Sequence, residues 1–501
     1  MRTSPIDLQP EQFRALGHEL VDQLASILDQ MPKGPVTQGA EPAEVRAALG
    51  RAPVPATGSD PRALLGETLS LLQAHNLYNG HPRFFGFITA SAAPIGALAE
   101  LVSATINQNV GGHLLSPMAT EIEAQTVRWI AELLGMPAGS GGVLVSGGNM
   151  ANMVGMWAAR AKALGDEVRA TGIRELPPLR IYASAATHTW VQKWADLSGM
   201  GTDGIRSIPV DEQERVDAGA LREVIARDRA AGDRPLAIIG TAGSVSTGAI
   251  DPLGELAAIA REHGVWFHVD GAYGAPAAML PDAPDDLRAL SEADSVAVDP
   301  HKWLYAPLEA GCTIVRDPEA LRNAFSYHPP YYPDAIEDPE PPLYYHEWSP
   351  QNSRGFRALK VWLALRQVGR AGYEEMIAED IRLAQRMYEL ADAHEELEAG
   401  TIGLSICTFR YVGRDNAGAG AAMSDADALN TLNKQIMERV QADGRAFLTN
   451  AVLHDKYLLR ACIVNFRTGE DDVRALIDEV VRVGRELAGS AAPAARSASR
   501  A

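Results

Sequence analysis

Lys302 follows the stretch S-V-A-V-D-P-H (295–301) and precedes Trp303-Leu304-Tyr305. Ser295–Val298 alternates small and apolar residues as a buried strand does, and Asp299-Pro300 breaks it, so His301 and Lys302 stand at a strand tip. An ammonium there is costly to desolvate, and an amine so placed suits carbonyl chemistry. Taken alone, the stretch also fits a lysine snorkelling to water. Asp270 ends a second apolar strand in F-H-V-D-G-A-Y, thirty-two residues earlier and one crossover unit away. A carboxylate after a strand often only caps a helix. His188, in A-A-T-H-T-W, follows a third strand, where it either caps the next helix or offers a flat imidazole face. Thr241, in I-I-G-T-A-G, presents a hydroxyl at a fourth.

An amine and a carboxylate at neighbouring strand ends suit pyridoxal phosphate. The lysine forms a Schiff base, and the carboxylate keeps the pyridine nitrogen protonated so that the ring accepts electrons. The imidazole of His188 could stack on that ring, and the Thr241 hydroxyl could reach it. The phosphate needs backbone N–H groups at a helix start, and G-G-V-L-V-S-G-G-N-M-A-N (141–152) supplies strand, glycine turn and helix. That turn lacks the spacing of a dinucleotide fingerprint or a P-loop, and no H-E-x-x-H, C-x-x-C or G-x-S-x-G signal competes. No metal site is expected.

The elements that must hold these residues are legible from periodicity. Apolar positions 13, 16, 20, 24, 27 and 28 predict a helix over 13–31, followed by short helices over 42–49 and 62–75. This arm buries little by itself and needs a further surface, on the same chain or on a second subunit. A helical pattern covers 91–134. Apolar runs at 142–146, 179–184, 205–210, 236–240, 265–270, 295–298 and 312–315 then alternate with amphipathic segments, which predicts an α/β, mostly parallel sheet covered on both faces. Ligands in such sheets sit beyond the strands' carboxyl ends, where His188, Thr241, Asp270 and Lys302 lie. Residues 327–343 are proline-rich and aperiodic. The expected divisions are an N-terminal helical arm (1–89), a large α/β domain (90–370), a small C-terminal α+β domain (371–487) and a disordered tail (488–501).

With 45 Lys plus Arg against 64 Asp plus Glu, the net charge of −19 argues against nucleic acid or an anionic membrane as partner. No apolar run is long enough to span a bilayer. Cys312, Cys407 and Cys462 lie far apart in apolar stretches, as reduced core thiols of a cytoplasmic protein would.

Taken together, V-S-G-G-N-M-A-N, His188, G-T-A-G, H-V-D-G-A-Y and D-P-H-K-W, in this order and spacing, resemble the pyridoxal-phosphate-dependent group II amino acid decarboxylases. H-P-R-F-F near the start and L-L-R-A-C-I-V-N-F-R-T near the end look like the same family, so the resemblance covers about residues 10–487. It implies fold type I (aspartate-aminotransferase-like), a homodimer with interfacial active sites, and an L-amino acid substrate. By motif, Lys302 matches the Schiff-base lysine, Asp270 the pyridinium partner, His188 the stacked histidine and Ala272 the small residue on the ring's other face. Gly148 and Asn149 fall at the phosphate loop, and His301 matches the histidine beside the lysine. Tyr331, in H-P-P-Y, resembles the tyrosine that reprotonates Cα. Arg354, in S-R-G-F-R, resembles an arginine near the substrate.

The departures concern Asp299, where many members carry asparagine, Gly355 for a second arginine, and His113 where animal aromatic decarboxylases carry tryptophan. Asp299 is expected to accept backbone N–H bonds, since facing the phosphate would set like charges together. Phe87, Ile88 and Thr89 form the expected first pocket segment, and His113 is a further expected substrate-binding residue. The expected reaction is decarboxylation of an aromatic L-amino acid of the tyrosine, DOPA or tryptophan type. The alternatives are an acidic amino acid, for which His113 or Arg83 could supply a cation, and an aromatic aldehyde synthase reaction.

Overall fold

The computed structural model describes residues 4–327, 342–413 and 426–497, the last without side chains beyond 489. The chain divides into two compact units: Met1–Phe87 with Arg386–Gly400 and Thr408–Ala501, and Ile88–Gln385 with Thr401–Cys407.

The first unit begins with α1 (Pro10–Gln30), α2 (Pro42–Leu49) and α3 (Pro61–Ala74), each opening on a proline whose missing N–H would have had no intrahelical partner. All three lie within three residues of the expected positions. None contains a buried residue, and Phe13, Leu24, Leu28 and Leu72 remain exposed.

In the second unit the single helical pattern expected over 91–134 resolves into α4 (Pro94–Ile106) and α5 (Pro117–Leu133). Asn107 takes the left-handed conformation (φ 55°) that ends the first, and Pro117 opens the second. There follow β1 (Gly141–Val145), α6 (Gly148–Leu164), α7 (Glu167–Thr171), β2 (Leu179–Ser184), α8 (Trp190–Leu197), β3 (Ile205–Ile208), α9 (Ala218–Ala230), β4 (Arg234–Thr241), α10 (Leu253–His263), β5 (Trp266–Asp270), α11 (Asp285–Arg288), β6 (Ser295–Val298), β7 (Gly311–Val315) and α12 (Glu319–Phe325). The seven strands form one sheet in the order β1-β7-β6-β5-β4-β2-β3. β2 to β6 run parallel, and β7 is antiparallel to both of its neighbours.

Successive residues of β4 point to opposite faces. Ala237 and Ile239 pack with Met153 and Met156 of α6 and with Trp190 and Trp194 of α8. On the other face a Cβ at Gly240 would meet the Leu253 and Leu256 side chains of α10, so those leucines pack directly on the strand backbone there. Both faces are therefore covered, as continuous apolar strands require.

The helix α13 (Ala358–Asp392) is broken at Gly369, whose φ of 69° leaves the helical region. A four-stranded sheet follows, ordered β10-β11-β9-β8, from β8 (Leu397–Gly403), β9 (Ile406–Tyr411), β10 (Thr449–Leu453) and β11 (Lys456–Cys462). It is accompanied by α14 (Ala426–Asp443) and α15 (Glu470–Ser497).

β1 is an edge strand, and the backbone groups of its Leu144 are closed by side chains. Leu144 N–H donates to Glu123 of α5 (3.0 Å), and Leu144 C=O accepts from Arg354 Nη2 (2.6 Å). The two side chains also pair with each other, both fully buried, while Arg354 Nη1 donates to Val110 C=O. The clamp therefore seals an exposed ladder edge just before the Ser146–Gly148 turn. Arg354→Ala would strand the Glu123 carboxylate and is expected to cost roughly 3–5 kcal/mol. A lowered urea midpoint should report this, and Glu123→Leu combined with Arg354→Leu should restore only part of it, because the Leu144 N–H and C=O still lose their partners. A midpoint unchanged in Arg354→Ala would deny the clamp any weight.

Candidate active site

The parallel register sets strand ends abreast. Thr241 of β4 lies beside Asp270 of β5, and Asp270 lies beside Ala297 of β6. Just past these ends, Asp299 N–H donates to Ala272 C=O (3.1 Å), and Lys302 N–H donates to Asp299 C=O (2.8 Å), winding the tight turn that presents the lysine. His301 is pinned from both ends: its N–H donates to Ala310 C=O, and its Nδ1 accepts Ala310 N–H. Behind Lys302, Trp303 Nε1 and the Tyr305 hydroxyl both donate to the buried Asp380, and Trp303 stacks on Tyr273 at 4.8 Å.

These turns enclose a cavity of about 370 Å³. It brings together Lys302, Asp270, His188, Thr241, Ala272, His301, Gly148, Asn149 and Ile88. It does not bring Arg354 there, because that guanidinium is spent on the β1 clamp. Neither Thr89 nor His113 lines it. His113 Nδ1 instead lies 3.5 Å from Glu121. Phe87 belongs to the other unit, where it packs on Phe447. Tyr331 lies outside the described residues.

Asp270 is buried, with Oδ2 accepting Trp190 Nε1–H (2.7 Å) and Oδ1 accepting Ala272 N–H (3.2 Å). His188 Nδ1 accepts the Trp190 N–H (3.3 Å), so in the neutral ring Nε2 carries the proton. Burial pushes the His188 pKa down, against the opposing pull of Asp270. One tryptophan thus orients both groups, which sequence reading missed although T-H-T-W had placed it two residues from His188.

Asp299 departs from expectation. Among the described residues its side chain takes no backbone N–H. Oδ2 sits 3.1 Å from Lys302 Nζ and 3.6 Å from His301 Nε2, while Oδ1 is buried without a partner. A Cβ at Gly148 would stand 2.6 Å from Oδ2, so the carboxylate does face the glycine turn, and glycine is what lets α6 begin there. The local reason is the tight turn: Asp299's own N–H and C=O are taken by Ala272 and Lys302, and its side chain reaches the nearest cation.

A second unforeseen feature is a buried polar chain under the turn. Trp266 Nε1 donates to Ser295 Oγ (2.8 Å), and Ser295 Oγ lies 2.7 Å from His268 Nδ1. His268 Nε2 lies 2.7 Å from Asn152 Oδ1, and Asn152 Nδ2 donates to Gly148 C=O (2.8 Å). Because Asn152 presents an oxygen, Nε2 must carry the imidazole proton and Ser295 must donate to Nδ1. A Cβ at Gly155 would stand 3.0 Å from the His268 ring, so α6 approaches the sheet closely there. The chain could have been suspected from Gly148 and Asn152 being four apart on one helix face.

Among the described residues, no group of three or more His, Cys, Asp or Glu side chains is placed to hold a metal, and no helix is long and apolar enough to cross a membrane. Residues 47–412 match the family described as pyridoxal-dependent decarboxylase conserved domain. The chain belongs to that family. An aromatic-L-amino-acid decarboxylase of Bacillus atrophaeus is 30% identical over 96% of this chain and 97% of its own. A phenylacetaldehyde synthase of Petunia hybrida is 30% identical over 91% of each. The crystal structure of Oryza sativa TDC with PLP and tryptamine superposes with a TM-score of 0.89 at 26% identity, covering 97% of this chain and 100% of that one. The fold is that of the pyridoxal phosphate decarboxylases, and the chain is a carboxy-lyase using that cofactor.

The cavity of this decarboxylase fits the cofactor. Thr241 and Asp299, which line it, each carry a buried polar atom without a partner (Oγ1 and Oδ1), a helix starts beside it, and amine and carboxylate stand on neighbouring strand ends.

Burial holds the His268 imidazole at about 4, well below its ordinary 6.5. The unfolded chain then takes the proton first, so stability is full above about pH 6.5 and is lost as pH falls through about 4, by on the order of 3 kcal/mol. Melting temperatures measured across this window should fall with acid. His268→Gln, which keeps an N–H for Asn152 and cannot titrate, should flatten that part of the decline.

Proposed function

We propose that this chain decarboxylates an aromatic L-amino acid, of the tyrosine, DOPA or tryptophan type, to its amine and carbon dioxide. The observation that carries the reading is the placement of Lys302 and Asp270 on one cavity at adjoining strand ends. Pyridoxal phosphate, when bound, supplies an aldehyde carbon that links to amines and a pyridinium ring that accepts electrons. Lys302 would hold the aldehyde carbon, Asp270 a proton at the ring nitrogen, and His188 and Ala272 the two ring faces. Thr241 would meet a ring substituent, and Gly148 with Asn149 the phosphate. Trp190 fixes the orientation of Asp270, so the carboxylate stays aimed at one point. Tyr331, outside the described residues, is proposed by its motif as the donor of the proton to Cα.

An aromatic side chain is favoured because no arginine lines the cavity among the described residues, so an acidic substrate finds no fixed bidentate partner there. Arg83 is paired with Asp472 at 3.1 Å. The relatives' names support the same choice: an aromatic-L-amino-acid decarboxylase and a structure with tryptamine. The Petunia phenylacetaldehyde synthase keeps the aldehyde-forming reaction as the second reading.

The working form is proposed to be a homodimer in the cytoplasm. Leu98, Leu101, Val102 and Ile106 expose one apolar face of α4, and Leu114, Leu115 and Met118 are exposed as well, which suits a self-complementary contact. The three cysteines are buried, in keeping with core thiols of a reducing compartment. Leu101→Glu with Ile106→Glu should shift sedimentation from dimer to monomer. A wild-type monomer would remove the dimer from the account.

A panel of the amino acids plus DOPA and 5-hydroxytryptophan, scored for carbon dioxide, amine and hydrogen peroxide, tests the reaction. Carbon dioxide and amine in equal amounts from aromatic substrates are expected. Release from glutamate or cysteine sulfinate alone would overturn the substrate class, and peroxide with aldehyde would favour the second reading. Lys302→Ala should lower carbon dioxide release at least a thousandfold, as loss of a covalent catalytic group does.

A further inference from the structure

Asp299 is 2% exposed on the cavity wall, and its two oxygens are used unequally. Oδ2 faces the Lys302 ammonium at 3.1 Å and His301 Nε2 at 3.6 Å. Oδ1 has no hydrogen-bond partner, although it is shielded from water. The other titratable groups that feel this carboxylate are His188 across the cavity and Cys312 on β7, a buried thiol that burial keeps protonated. None of them donates to Oδ1. The carboxylate also presses on Gly148, the first residue of α6, so it flanks the helix start that suits an anion. A dianionic phosphate beside a fixed carboxylate is opposed by like charge. A buried acceptor without a donor costs free energy as well. A singly protonated phosphate monoester relieves both at once, because it carries one charge less and owns a P–O–H donor.

We propose that Asp299 makes this chain bind its cofactor's phosphate in the singly protonated form, accepting the P–O–H hydrogen bond at Oδ1. The proposal rests on pyridoxal phosphate occupying this cavity. An asparagine in the same place would offer an N–H instead and would favour the dianion. Asp299 is thus a determinant of how the cofactor is held and of how tightly at a given pH. The second ionisation of a phosphate monoester lies near pH 6. Affinity for pyridoxal phosphate should therefore fall about tenfold per pH unit above that value.

The test is phosphorus NMR of the cofactor-loaded protein between pH 6 and 9. The wild-type signal should sit at the monoanion position and stay there to about pH 8, whereas Asp299→Asn should place it at the dianion position. Equilibrium binding to the cofactor-free protein gives a second readout: the steep weakening with pH should appear for pyridoxal phosphate, vanish in Asp299→Asn, and be absent for pyridoxal. A dianion signal in the wild-type protein overturns the proposal, whether or not the variant folds. So does a pH slope for pyridoxal equal to that for pyridoxal phosphate. Absence of any bound phosphorus signal from the wild type would overturn the cofactor reading itself, and the proposal with it.

Discussion

The constraint on which the site depends is the parallel register of β4, β5 and β6. It places Thr241 beside Asp270 and Asp270 beside Ala297, so that the turn after β6 brings Lys302 to the same cavity. A slip of one residue would turn every side chain to the opposite face and separate the amine from the carboxylate. The register is held by burial on both faces, with α6 and α8 on one and α10 on the other.

Around this frame the polar groups are arranged as chains and not as isolated contacts. Trp190 serves both Asp270 and His188, and the Trp266–Ser295–His268–Asn152 chain ends on the carbonyl of Gly148. Buried hydrogen bonds of this kind are costly to leave unmade, so each member fixes the next. The Glu123–Arg354 clamp does the same for the strand that leads into the glycine turn before α6. The open positions are correspondingly informative: Thr241 Oγ1 and Asp299 Oδ1 lack partners where a polar guest would supply them.

Much of this was legible in the sequence, for a physical reason. Strands buried on both faces read as apolar runs, and their carboxyl ends are where chemistry-bearing residues stand, so Lys302, Asp270, His188 and Thr241 could be placed before any coordinates. Long-range pairing could not. Arg354 looked like a substrate ligand because S-R-G-F-R resembles a stretch near the substrate in the family, yet its partners are Glu123 and Leu144, more than two hundred residues away. The break at 107–116 was hidden because apolar spacing alone does not reveal a left-handed Asn107. Asp299 was judged by its repulsion from a phosphate, while the nearer Lys302 ammonium decided its direction.

The central claim is that Lys302 holds the cofactor covalently in a cavity it shares with Asp270. The most direct measurement is borohydride reduction of the cofactor-loaded chain, followed by proteolysis and mass spectrometry of the peptides. The account predicts a reduced cofactor adduct on Lys302 and on no other lysine. An adduct on a different lysine, or none on a protein that still releases carbon dioxide, would contradict it.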